Sequence, residues 1–136
     1  VNIYRTKAKR FTGSDYKEIR RKALASYNII KGRSKRRPYV RSAYFNKEKV
    51  FLGIFWSHLY DKNYWDQTRR MKFFDCAIEL IQKSRFNPVS KDNPDIPSEI
   101  LHRFAGFSGN ELFFVQIKED KRSGRKSLIS IFPIGK

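Results

Sequence analysis

The pentapeptide ILHRF, Ile100 to Phe104, sets a histidine and an arginine side by side in a run of strand-forming residues. Histidine exchanges protons near neutral pH, and an adjacent arginine can stabilise charge growing on a phosphoryl oxygen. What such a pair can do depends on which face of the strand each residue occupies, because successive side chains point to opposite faces.

Three C-terminal runs, EILHRFAGF, ELFFVQIKE and KSLISIFPI, have strand character, and the intervening SGN and DKRSGR each carry the glycine that a hairpin turn needs. The middle run divides into a core face, Phe113, Val115 and Ile117, and a second face, Leu112, Phe114, Gln116 and Lys118. Placing Val115 opposite Ile131 and Ile117 opposite Ile129 sets Gln116 against Ser130 and Lys118 against Leu128. Placing Phe104 opposite Phe114 then sets His102 against Gln116. His102, Gln116 and Ser130 would form a row across three strands, with Lys118 one step along. A slip of one residue in the first hairpin turns His102 into the core and brings Arg103 onto the row instead. Both registers stay open at this point.

Such a row suits metal-independent phosphodiester transesterification in RNA. A base takes the ribose 2′-OH proton, an acid protonates the leaving oxygen, a cation holds the phosphoryl charge, and a hydroxyl or amide positions the phosphate. The plainer reading of His102 is a satisfied histidine at the rim of a core. His58, on the apolar stripe of a helix, reads as structural.

Upstream, Ser14 is the expected N-cap of a helix in which Tyr16, Ile19, Ala23, Tyr27 and Ile30 recur at helical spacing and Gly32 closes. YVRSAYF reads as an edge strand or a connector. A second helix is expected from about Lys47 to Tyr60 and a third from about Tyr64 to Lys83, with Trp65 among its interior residues. Residues 85–97, rich in proline and asparagine, read as a linker. The expected fold is α+β: N-terminal helices packed on a C-terminal antiparallel β-meander of three or four strands. The chain reads as a single domain, with a basic helical layer over 1–84 and the sheet over 98–136.

Charge is the strongest compositional signal. The formal net charge is +17 in 136 residues, and residues 1–47 hold fifteen of the thirty Lys/Arg against only Asp15 and Glu18. A surface of this kind favours a polyanion. In KGRSKRRPYVR, Lys31, Arg33, Lys35, Arg36, Arg37 and Arg41 fall within eleven positions, and Tyr39 offers a ring for base stacking. The expected nucleic-acid contacts are Lys35, Arg36, Arg37 and Arg41, joined by Lys121, Arg122, Arg125 and Lys126 from the last turn. RNA is the expected partner, with DNA or an acidic, antitoxin-like protein as alternatives and no membrane. The single cysteine, Cys76, excludes an internal disulfide and fits a cytoplasmic setting. No spacing of Cys and His suggests a metal site or a cofactor.

The order of helices followed by sheet, with His102, Arg103, Lys118 and the KRSGRK loop gathered on it, resembles the superfamily of metal-independent ribonucleases that includes barnase, RelE-type toxins and phage or colicin nucleases. HRFAG, FFVQIKEDKRSGRK and SLISIFP are similar to its strand modules, over about residues 99–134. The resemblance implies an endoribonuclease, toxin-like or carried by a mobile element, with RNA on the exposed sheet face. It would make His102 the acid/base, Arg103 and Lys118 the charge stabilisers, and Ser130 the phosphate-positioning hydroxyl. The chain departs from the pattern in its long basic N-terminal region and in lacking a second histidine or a last-strand tyrosine. A partner acid would then be Lys, Arg or a carboxylate such as Glu119. A non-catalytic RNA or DNA platform, or an adaptor docking on an acidic protein, uses the same basic surface.

Overall fold

The computed structural model describes residues 3–134. Among them, in chain order, lie β1 (Tyr4–Arg5), α1 (Tyr16–Arg33), β2 (Tyr39–Arg41), β3 (Lys49–Phe51), α2 (Gly53–Tyr60), α3 (Tyr64–Met71), α4 (Phe74–Lys83), β4 (Val89–Asp92), β5 (Glu99–Ser108), β6 (Glu111–Asp120) and β7 (Lys126–Pro133).

The antiparallel trio β5–β6–β7 forms where the strand patterns predict it, but it is the centre of a larger mixed sheet. The sheet runs β1-β5-β6-β7-β3-β2, with β4 also on β5. The β1–β5 and β3–β7 pairs are parallel. The expected C-terminal meander beneath an N-terminal helical layer is therefore incorrect. Strands come from the whole chain, and β4 lies inside the stretch read as a linker. The missed strands are two to four residues long, too short for alternation to register. Parallel partners also need long crossovers that leave no turn signal.

Local chemistry sets the helix limits. Asp15, rather than Ser14, caps α1, its carboxylate accepting the Glu18 N–H at 3.0 Å. The expected helix from Lys47 begins only at Gly53, after β3. The expected helix over 64–83 is two helices, because Phe73 and Phe74 are both buried. Phe73 stacks on Phe113 at 5.3 Å, while Phe74 packs against Phe55 and Trp56. A continuous helix turns adjacent residues about 100° apart, and the break at Lys72–Phe73 lets both rings reach the interior. Trp65, expected inside, is 61% exposed, and His58 lies exposed on α2.

Apolar residues of all four helices form one core with Val40, Val50, Phe104, Phe113, Val115, Ile117, Leu128 and Ile131 of the sheet. Gly106 permits the close approach of α4 to β5, since an added Cβ would lie 2.7 Å from Leu80 and from Phe113.

The N-terminal segment is fastened by Glu79 of α4. Its carboxylate accepts the Tyr4 hydroxyl at 2.7 Å, the Ala8 N–H at 2.7 Å and the Lys7 N–H at 2.9 Å. Burial raises the Tyr4 pKa, and with the Glu79 contact takes it to about 12. At Glu79 burial pushes the pKa up, but the hydrogen bonds outweigh it and hold the carboxyl below its ordinary value. The folded state thus binds this proton less readily than the unfolded chain. The stabilisation is present above the unfolded pKa and fades as pH falls through the lowered folded one. Glu79→Gln is expected to cost about 1–2 kcal/mol at neutral pH and to flatten the loss of stability under acid conditions, as measured by urea unfolding across pH.

Candidate nucleic-acid interface

The turn between β5 and β6 decides which residues face outward. Ser108 pairs with Glu111 around the two-residue loop Gly109–Asn110. Gly109 has φ 59° and Asn110 a negative φ, the pattern of a type II′ hairpin turn. Phe104 accordingly pairs with Val115, Arg103 with Gln116 and His102 with Ile117. The register that sets His102 against Gln116 is not the one formed.

The row across three strands is Arg103, Gln116 and Ser130. Arg103 donates to Gln116 Oε1 at 3.4 Å, and its guanidinium lies 5.8 Å from the Phe114 ring centre and 5.3 Å from that of Phe132. Arg70 of α3, absent from the sequence-based site, reaches the row from the side. Its Nη1 donates to Ser130 Oγ at 2.9 Å and to the Ile131 carbonyl at 3.3 Å, while Asp66 accepts its Nε at 3.1 Å. Lys118 lies one step along and pairs with Glu99 at 3.3 Å. Arg103 has no carboxylate partner among the described residues.

His102 faces the other way and is buried. Its Nε2 lies 2.8 Å from Glu119 Oε1 and its Nδ1 2.6 Å from Ser90 Oγ. A carboxylate only accepts, so Nε2 carries hydrogen, and in the neutral ring Nδ1 accepts from the Ser90 hydroxyl.

The β6–β7 register explains the other half of this cluster. Gln116 pairs with Ser130 but Ile117 with Leu128, leaving Ile129 as an extra residue in β7. A bulge reverses strand alternation beyond it, and so Leu128 and Lys126 turn inward. Lys126, expected to face solvent, is 5% exposed. Its ammonium binds Glu48 at 2.6 Å and the Gly124 carbonyl at 2.9 Å, with Glu119 at 3.8 Å. Phe45 lies between the two groups, its ring centre 4.9 Å from Lys126 Nζ and 5.0 Å from the His102 ring. These residues form a closed hydrogen-bonded and ionic unit. Among the described residues no group of three or more His, Cys, Asp and Glu is arranged to hold a metal.

The remaining basic residues meet at the β2 edge, where two neighbouring grooves of about 690 Å³ each share Tyr39. One is lined by Lys35, Arg36, Arg37, Lys49 and Arg125 with Phe51, the other by Arg33, Arg41, Lys47, Lys83 and Arg85. Each presents five cations, and neither lining contains a carboxylate. Cations sit over the rings: Arg125 lies 4.0 Å from the Phe51 centre, Lys49 4.7 Å and Arg41 5.5 Å from that of Tyr39. Lys35, Arg36, Arg37, Arg41 and Arg125 thus meet here. Lys121 pairs instead with Asp92 at 3.2 Å, and Arg122 is exposed on the turn. Lys47, Lys49, Lys83 and Arg85 escaped the sequence reading because only the β2–β3 pairing and the end of α4 bring them beside the basic run.

No family, curated protein or solved structure matched this chain.

Replacing Glu119 by alanine would leave the buried His102 and Lys126 short of an acceptor. The expected cost is about 2–4 kcal/mol in urea unfolding. The Arg103 row lies on the opposite face of the sheet and should keep its structure, which NMR of the Arg103 and Gln116 side chains would check.

Proposed function

We propose that the protein binds single-stranded RNA along the β2 edge and the sheet face that carries Arg103, Gln116 and Ser130. The observation that carries this reading is the pair of acid-free basic grooves around Tyr39. Ten cations converge where fixed carboxylates would repel a phosphate backbone least. The aromatic rings favour an unpaired strand. Tyr39, Phe51, Phe114 and Phe132 lie in or beside the basic sites and can receive bases only if those bases are free to stack.

The test is binding of a fluorescein-labelled oligouridylate, followed by anisotropy over a salt series, with DNA of the same length alongside. Wild type should bind with an affinity that falls steeply as salt rises. Lys35→Ala/Arg36→Ala/Arg37→Ala should weaken binding and reduce the slope of log K against log salt by about 2. A flat salt response, or a triple variant that binds like wild type, would remove the proposal.

A second reading, cleavage of the bound RNA, is favoured by one arrangement: the exposed Ser90 hydroxyl connects through His102 to Glu119. That reading expects RNA cut in EDTA to 2′,3′-cyclic phosphate ends, with loss of cutting in His102→Ala. The binding reading expects intact RNA, because both nitrogens of His102 are occupied.

A further inference from the structure

We infer that the cavity at the open edge of β5 seats one unpaired nucleobase of the strand bound on the adjacent sheet face, an inference that rests on the RNA-binding reading. One edge of β5 is taken by β6 along its whole length. The other is shared: β4 pairs with residues 100–103 and β1 with residues 106–107, leaving Phe104 and Ala105 paired with neither. A cavity of about 310 Å³ opens there, lined chiefly by Phe86, Val89, Arg103, Ala105, Leu112 and Phe114.

Its chemistry is that of a ring site. Phe86 and Phe114 supply aromatic walls, and Phe86 is 40% and Val89 74% exposed, so among the described residues apolar surface stands uncovered at the mouth. Ala105, register partner of Phe114, is small enough to leave the space between them open. Of two consecutive strand residues, one turns its N–H and C=O to each edge. Ala105 is the one turned to the gap, in step with Phe107, whose carbonyl accepts from the Thr6 N–H; the Tyr4–Gly106 pairing takes the Ala105 carbonyl, and its N–H is left facing whatever enters.

Arg103 lines the cavity and also belongs to the row with Gln116 and Ser130. A cation for a phosphate thus lies directly beside an apolar slot for a ring, the two halves of a nucleotide. A peptide strand is a poor occupant, because only two residues of edge are free and strands ordinarily use 3–10. A purely apolar ligand would have no use for the arginine at the rim.

The probe is a ten-nucleotide oligouridylate compared with an abasic ribose-phosphate strand of equal length, measured by anisotropy against wild type, Phe86→Ala, Phe86→Tyr and Ala105→Leu. Wild type should bind the base-containing strand about tenfold more tightly than the abasic one. Phe86→Ala, by removing the exposed wall, and Ala105→Leu, by filling the slot, should each cut that preference several-fold while leaving abasic binding unchanged. Phe86→Tyr, which keeps the ring, should retain it. Equal binding of the two strands by wild type, or a preference left undiminished in both disruptive variants, would overturn the base site while leaving the phosphate-binding reading intact. Failure of wild type to bind either strand would overturn both.

Discussion

The two-residue turn at Gly109–Asn110 fixes the polarity of the whole sheet. A hairpin closed by two residues has one register, and a change of one residue would exchange every side chain of β5 between the faces. With Ser108 opposite Glu111, Phe104 enters the core beside Val115, His102 lies under the Phe45 loop, and Arg103 emerges on the opposite face. The neighbouring histidine and arginine are thereby separated by the thickness of the sheet. They cannot act together on one phosphate, and the structure gives them different work.

A second irregularity complements the first. The extra residue at Ile129 turns the start of β7 over, bringing Lys126 inside to meet Glu119 and Glu48. A buried lysine carries a heavy desolvation cost unless acceptors surround it. Here two carboxylates, a carbonyl and an aromatic face supply that environment, and His102 completes it through Glu119. The Phe45 loop that covers the cluster contains consecutive left-handed residues, Asn46 and Lys47. Such conformations persist only where surrounding contacts hold them, and the Lys47 N–H to Ser42 carbonyl bond at 2.7 Å is one of those contacts. The interior polar residues are thus structurally committed, while the unneutralised charge lies at the β2 edge and on the outer sheet face.

How much of this was legible in the sequence follows from the length and locality of each signal. The ten-residue strands β5 and β6, and the core face Phe113, Val115 and Ile117, are plain from alternation. The Gln116–Ser130 pairing also follows from it. The Arg103 register was legible in principle, since Gly-Asn between two strand runs is itself a two-residue hairpin signal. Aligning Phe104 with Phe114 would instead set Phe107 opposite Glu111 and close the hairpin with the three residues 108–110. The bulge had no such signal: LISI is uniformly apolar apart from its serine, and nothing in it marks the extra residue. Strands β1 and β3 were hidden because two or three residues carry no period, and their parallel partners lie more than seventy positions away. The basic cluster of residues 35–37 was visible as composition. The second groove was not, because its cations come from the ends of α1 and α4 and from β2 and its following loop.

These features divide the molecule into a helix-packed interior and an exposed side where Arg103 lies by Phe114 and Phe132 and the acid-free cations of the β2 edge surround Tyr39 and Phe51. No helix among the described residues is long and apolar enough to cross a membrane. The helical side has its own exposed rings, Tyr60, Tyr64 and Trp65, with Arg20 and Arg69 beside them. The contrast between that side and the sheet gives the most direct test of the account: photocrosslinking to a single-stranded RNA containing 4-thiouridine, with the modified residues mapped by mass spectrometry. The account predicts adducts at Tyr39, Phe51 and the outer face of β6. Adducts confined to Tyr60, Tyr64 and Trp65 would contradict it.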